Sequence, residues 1–265
     1  MILDLDFLKE HLDGFRLERS IKFHEGVIFS KRYNFWFDHN FKSNLNSIFK
    51  IFDYLENQHK WQFDYSIINH YINQNFDFTK IKFLVFGTDI REKMIDSRVK
   101  IWLIIMDYPQ KRAELQADPE FTKDLRELAY NDVFLFGFDF NFNGTSKIKL
   151  YPAVYRFDLD NPALEKILQK ILCNDSLFLM RHTCQTHITT NKQGLVIHFH
   201  PQHMLRFIEI MALENIISDA VHQNMLDLYS SLPDNRYDDQ VLSLQEIEIQ
   251  NRSISNFSLY KMYSS

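Results

Sequence analysis

Basic side chains recur at every second residue in several short stretches of this chain, with apolar residues between them. Within Ser97–Ile105, Arg98, Lys100 and Trp102 alternate with Val99, Ile101 and Leu103. Within Lys147–Tyr155, Lys147, Lys149, Tyr151 and Tyr155 stand against Ile148, Leu150 and Val154. Lys22 and His24 share one parity, as do Arg32, Asn34 and Trp36, and His198 and His200 oppose Ile197 and Phe199. Successive side chains of a strand point to opposite faces, so each stretch read as a strand has a basic face and an aliphatic face. If the aliphatic faces pack on helices, Lys22, Arg32, Arg98, Lys100, Lys147, Lys149, His198 and His200 line a common interior. Such a cluster costs self-repulsion and desolvation unless an anion sits there. A diphosphate fits: arginine forks and lysine ammonium groups bind its oxygens and stabilise charge on a leaving group.

The aromatic residues supply a matching chemistry. Ionising an allylic diphosphate leaves a carbocation, which ring faces stabilise through their quadrupole while excluding water. Tyr151, Trp102, Tyr155, Trp36 and Tyr260 are the candidate cation-shielding rings. On any single strand the alternation equally describes a solvated sheet face; the interior site rests on four strands taken together. His198 and His200 lack a carboxylate or third ligand at a telling spacing, so no metal site is assigned. The adjacent Asp238-Asp239 falls short of the spaced aspartates that hold magnesium–diphosphate in all-helical isoprenoid enzymes. The run Phe134, Phe136, Phe138, Phe140 and Phe142 reads as a buried strand face. No glycine-rich phosphate loop or nucleophile elbow is present, and 6 glycines leave few loops able to cradle a nucleotide.

The elements that must position these residues follow from periodicity. Apolar patterns of helical period cover roughly 3–14, 42–57, 66–75, 119–130, 162–173 and 203–231. Between them lie paired β-branched and aromatic stretches: Ser20–Ser30 with Arg32–Asp38, Lys80–Gly87 with Ser97–Asp107, and Asp132–Phe142 with Ser146–Phe157. Ser176–Thr190 with Gly194–His200 and Gln240–Gln250 with Ser253–Tyr263 complete the set. Asn141-Phe142-Asn143-Gly144 and Asn191-Lys192-Gln193-Gly194 are compact turns with glycine at the positive-φ position. The expectation is an α+β domain spanning 1–265, a ten-stranded antiparallel β-barrel ringed by helices, whose closure removes exposed edges. A two-domain α+β arrangement is the alternative.

Composition narrows the class. The 265 residues are 45% hydrophobic and 25% charged, as in a globular protein, and 15% aromatic. A net charge of −5 argues against a general nucleic-acid binder. No run approaches the roughly eighteen apolar residues of a membrane span. The opening Met1-Ile2-Leu3-Asp4 has no basic-then-apolar signal pattern, and Cys173 and Cys184 form neither a metal spacing nor a disulfide framework. A soluble, cytoplasmic, monomeric protein is expected.

Several blocks in order resemble the cyanobactin peptide prenyltransferases. They are Asn75-Phe76-Asp77-Phe78-Thr79-Lys80, Gly87-Thr88-Asp89-Ile90-Arg91, Asp96-Ser97-Arg98-Val99-Lys100 and Asp107-Tyr108-Pro109. Gly137-Phe138-Asp139-Phe140-Asn141-Phe142-Asn143-Gly144 and Ser146-Lys147-Ile148-Lys149-Leu150-Tyr151-Pro152 follow. The likeness is closest over about 75–155; Ile21–Tyr33 and Phe257–Tyr263 also fit the pattern. It implies the ten-stranded αββα (ABBA) barrel and transfer of dimethylallyl, sometimes geranyl, from its diphosphate onto a ribosomally made, cyclic or linear peptide, with Mg2+ assisting the diphosphate. By the same resemblance Lys149 and Tyr151 hold the diphosphate and shield the cation, with Arg98, Lys100 and Arg32 on neighbouring basic strands. Members that prenylate tyrosine carry a glutamate eight residues before the arginine matching Arg32. Here that position is His24, with Glu25 beside it on the opposite face, and either is the expected acceptor base. The alternatives are a prenyltransferase acting on small aromatic molecules and a catalytically degenerate binding barrel.

Overall fold

The computed structural model describes residues 4–233 and 240–263. The Asp238-Asp239 pair lies outside the described residues. The chain is α+β and forms a nearly closed antiparallel barrel ringed by helices. Its strands are β1 (Arg16–His24), β2 (Val27–Phe37), β3 (Ile81–Asp89), β4 (Arg98–Met106), β5 (Val133–Asn141) and β6 (Ser146–Tyr151). They continue with β7 (Ala153–Tyr155), β8 (Gln185–Asn191), β9 (Gly194–His200), β10 (Gln240–Gln245) and β11 (Asn256–Tyr263). All eleven belong to one sheet of order β6-β5-β4-β3-β2-β1-β11-β10-β9-β8-β7.

The expected count was ten, and the difference has one cause. Ser146–Phe157 has the pattern of one strand, but Pro152 has no N–H to give a ladder and divides it. β6 pairs with β5, from Leu135↔Tyr151 to Phe140↔Ser146. β7 turns to the other side and pairs with β8, from Ala153↔His187 to Tyr155↔Gln185. One stretch of chain therefore supplies both ends of the sheet and draws them together.

The helices are α1 (Leu5–His11), α2 (Phe41–His59), α3 (Ser66–Tyr71), α4 (Pro109–Ala117), α5 (Lys123–Leu128) and α6 (Pro162–Ile171). α7 (Asn174–Met180), α8 (Met204–Leu213), α9 (Asp219–Ser231) and α10 (Glu246–Gln250) follow. Three sequence expectations are corrected here. The first part of Ser176–Thr190 is helical, because Cys173 caps α7 by accepting from the Ser176 N–H at 3.4 Å. The second part of Gln240–Gln250 is α10, with Glu246 buried and bonded to the Cys173 N–H at 2.5 Å. The segment read as one helix over 203–231 divides into α8 and α9, with Asn215 at φ 55° between them. The expected turn glycines hold their positions, Gly144 at φ 83° and Gly194 at φ 120°.

The outer faces of the strands carry the core. On β5 the residues Phe134, Phe136, Phe138 and Phe140 are at most 2% exposed and meet Phe52 of α2, Tyr71 of α3 and Phe63 between them. On the other side of the barrel Ile188, Ile197, Phe199, Leu242 and Leu259 are fully buried under α8 and its neighbours. Each such phenylalanine contributes roughly 1.5–3 kcal/mol of burial free energy. Packing the aliphatic and phenylalanine faces outward leaves the opposite parity, with its basic residues, to face the lumen. Phe136→Ala is expected to cost about 3–5 kcal/mol in urea denaturation, since it opens a cavity among Phe134, Phe138 and Tyr71.

Candidate functional site

The inner faces enclose one cavity of about 1670 Å³, open at the end where the strand turns cluster. It exceeds the roughly 300–1,000 Å³ of common ligand pockets. Arg32, Arg98, Lys100, Lys147 and Lys149 all line it. So do Lys22, His24, His198 and His200, and the rings of Trp36, Trp102, Tyr151 and Tyr260. Lys147 stands exposed at the rim.

Two of the candidates lie elsewhere. Glu25 is exposed in the β1–β2 turn at φ 49°, where its N–H donates to the Ser255 carbonyl at 3.0 Å. The hairpin reverses there, so Glu25 never joins the inner face beside His24. Tyr155 has inner-face parity, opposite Gln185, but lies beyond the residues that line the cavity. Its ring stacks at 5.4 Å on Phe157, which is 74% exposed.

Register explains how the others meet. Ser20, Arg32, Asp89, Arg98 and Asn141 are direct neighbours across β1 to β5. The next inward-facing row is Glu18, Asn34, Gly87, Lys100, Asp139 and Lys147. The row after that runs through Trp36, Val85, Trp102, Gly137 and Lys149. A charged layer thus lies directly on an aromatic one.

The charged layer is organised by two buried carboxylates that the sequence reading missed. Asp89, 1% exposed, is within 3.4 Å of the Arg32 guanidinium, 2.9 Å of Arg91 and 3.0 Å of Arg98. Asp139, 2% exposed, meets Arg98 at 3.2 Å and Lys149 at 2.9 Å. Burial alone would raise both carboxyls; Arg32 and Arg98 around Asp89, and Lys149 and Arg98 around Asp139, hold them well below the usual carboxylate range. Arg98 in turn is driven up by Asp139 and Asp89 against the opposing effect of burial. Arg32 also donates to Ser258 Oγ and Tyr260 Oη, each at 3.2 Å. The signal for Asp139 was present in the sequence: it shares its strand parity with Gly137, opposite the phenylalanine run.

These ion pairs do not consume all the basic groups. Lys100, only 7% exposed, makes no ion pair with a described residue, and its ammonium lies 5.1 Å from the Trp102 ring. Burial, with Arg98 next to it, pushes its pKa well below the ordinary lysine value despite Asp139 and Asp89. Lys22 likewise has no ion-pair partner among the described residues, and burial with Arg32 and Arg91 lowers it to about 8. Both amines would regain a counter-charge if an anion entered.

The aromatic layer is built on missing side chains. Trp102 lies flat over Gly137 and Gly87: a Cβ at Gly137 would come within 2.3 Å of the indole, and one at Gly87 within 2.4 Å. The indole N–H donates to Tyr151 Oη at 3.2 Å, which fixes the two rings relative to each other. The opposite wall holds a chain of imidazoles that includes a further missed residue, His187. Gln185 Nε2 lies 3.0 Å from His187 Nε2, and His187 Nδ1 lies 3.0 Å from His200 Nε2. His198 Nδ1 is 2.6 Å from Ser243 Oγ, and its Nε2 is buried without a partner among the described residues. Burial lowers His200 to about 4, and burial with neighbouring His200 and Lys149 lowers His198 to about 3. These rings are neutral at physiological pH. They offer hydrogen bonds rather than positive charge.

Glu18, 4% exposed, is a lumen carboxylate that the sequence reading also missed; it accepts from Asn34 Nδ2. His24 remains on the inner face nearer the mouth. Among the described residues no three His, Cys, Asp or Glu side chains group in a metal-binding arrangement. No described helix is long and apolar enough to cross a membrane.

The depressed Lys22 has a testable consequence for stability. The unfolded chain binds a proton here that the folded chain releases between about 8 and the ordinary 10.5, so this group penalises folding most below pH 8 and not at all above 10.5. Lys22→Met should therefore gain stability relative to the parent at pH 7, with the difference shrinking as pH approaches 10.5. Urea denaturation of both proteins across that range measures it, and a difference independent of pH would refute the shift.

No curated protein matches the chain. A family model described as a family of unknown function (DUF5838) matches residues 4–263. The match runs through every strand and helix that builds the lumen, so the chain belongs to that family of unknown function, DUF5838.

Proposed function

We propose that this protein transfers a prenyl group, dimethylallyl or geranyl, from its diphosphate to a side chain of a ribosomally made peptide, within the αββα barrel that its resemblance to cyanobactin prenyltransferases implies. The observation that carries the reading is the lumen's pairing of under-neutralised cations with a fixed aromatic surface. Lys22 and Lys100 make no ion pair with a described residue beside Arg32, Arg98 and Lys149, and the Trp102–Tyr151 pair begins one strand row away.

In this reading the diphosphate lies against Arg32, Arg98, Lys100 and Lys149. The bond between its oxygen and the allylic carbon breaks, and the electron pair leaves with the diphosphate. Guanidinium and ammonium groups stabilise that charge in a site shielded from bulk water, where such interactions are strongest. The allyl cation faces the Trp102 and Tyr151 rings. The acceptor side chain forms the new bond to carbon, and its proton passes to the Glu18 carboxylate or the His24 imidazole. Glu18 replaces the exposed Glu25 in this role. The lumen does not fit a magnesium ion held by the protein, because Asp89 and Asp139 give their oxygens to arginine and lysine. Magnesium would arrive on the diphosphate's own oxygens.

The test is mass spectrometry after incubation with dimethylallyl or geranyl diphosphate, magnesium and a panel of cyclic and linear peptides. A gain of one or two isoprene units on a peptide is expected. Lys149→Ala and Arg98→Ala should each lower turnover by about 100-fold or more, the size seen when one preorganised electrostatic contact is lost. Unchanged turnover in both variants would remove the lumen from the reaction. Gain only on small aromatic molecules would move the acceptor class, and bound but unreacted diphosphate would make this a binding protein. Comparing Glu18→Gln with His24→Gln identifies the base.

A further inference from the structure

We infer that an extended peptide enters this barrel through its side, adding as a strand to the free edge of β6 so that alternate side chains point into the lumen. The prenyl-transfer reading supplies only what the delivered side chain meets; the docking mode stands on the barrel's seam.

The seam follows from Pro152. β8 pairs with β9 along its whole length, from Gln185↔His200 to Asn191↔Gly194. On its other side it pairs only with β7, over Gln185–His187, and the last closing bond runs from the Ile188 N–H to the Pro152 carbonyl at 3.1 Å. Beyond that point the edge of β6 and the Ile188–Asn191 edge of β8 run on without strand pairing, their backbones still within 8 Å at several positions, so an added strand widens the seam as it enters. Unpaired edges of this kind are templates for an additional strand, and proteins ordinarily cover or blunt them.

Residues lining the cavity lie on both sides of this seam. The lining includes both faces of β6, with Lys147 and Lys149 inside and Ile148 outside. It includes both faces of β8 as well, with Thr189 inside and Thr190 outside. From there it reaches an outer groove along α3, at Ile67 and His70, with Asp118 and Glu120 beyond. Thr189 adds an independent sign of a missing partner. It is 3% exposed, yet its hydroxyl has no hydrogen-bond partner among the described residues.

A strand laid along β6 meets both environments at once, because its side chains alternate. Inward side chains would reach Lys149 and Tyr151, where the charged and aromatic layers join. Outward side chains would lie in the groove, where Asp118 and Glu120 favour lysine or arginine. This arrangement delivers one side chain to an enclosed site while the rest of the peptide stays outside, and it requires a chain able to extend. A peptide with basic residues at alternate positions is therefore the fitting partner.

The probe is a linear decapeptide alternating lysine and tyrosine, fluorescently labelled, with a glutamate–tyrosine decapeptide as control. A series carrying one backbone N-methyl group at a time is titrated against the full chain by fluorescence anisotropy. The lysine peptide should bind more tightly than the control. N-methylation should weaken it about tenfold at every second position, where an N–H faces β6, and little in between. Binding with no such period, equal binding of the control, or no binding at all would overturn side entry. Prenyl transfer is read separately by mass: periodic sensitivity without mass gain would leave the seam standing and remove the reaction, and mass gain without the period would do the reverse.

Discussion

Asp89 and Asp139 set the terms for the inside of this barrel. Four basic side chains, Arg32, Arg91, Arg98 and Lys149, pair with these two carboxylates, and neither carboxylate is more than 2% exposed. Without them, Arg32 would stand as an unpaired buried charge, at a cost of several kcal/mol, and Arg98 and Lys149 would lose their counter-charges. With them, the arginines are fixed in place and oriented before any ligand arrives. The compensation is incomplete, because Lys22 and Lys100 remain outside it. A lumen built this way holds its arginines in place while two of its lysines stay outside the ion-pair network of the described residues.

The aromatic layer depends on that charged layer only indirectly. Its own constraint is steric: Trp102 needs glycine at 87 and 137 on the flanking strands. The indole could not lie against the sheet if either neighbour had a side chain. The hydrogen bond to Tyr151 then joins β4 to β6, next to the place where Pro152 breaks the strand. Ring placement and the position of the seam are thus tied to the same few residues. The seam lies beside the Trp102–Tyr151 pair, not at a remote rim.

A fully paired barrel would have been the simplest way to bury every strand edge. This chain closes only its lower portion, where β7 meets β8, and leaves the rest of β6 unpaired. The inward-pointing lysines on β6 discourage casual pairing with other chains, which is one way proteins guard an edge. They also give that edge a chemical preference, which an unguarded apolar edge would lack.

Much of this architecture was legible in the residues. Alternation on β4 and β6 identified which side of each strand would be basic, because parity along a strand does not depend on its neighbours. The phenylalanines of β5 marked the outer face for the same reason, and the turn glycines Gly144 and Gly194 located two reversals. Three things required the tertiary structure. The carboxylate partners of the arginines come from other strands, so register alone brings Asp89 and Asp139 to them. Glu25 and His24 differ by one residue in sequence, yet the hairpin reversal sends one to solvent and keeps the other inside. The helical fates of 176–180 and 246–250 were decided by the Cys173–Glu246 contact between segments far apart in the chain. Sequence determined the local faces, because alternation is a property of one strand; the structure decided which charges meet, because compensation is a property of several strands at once.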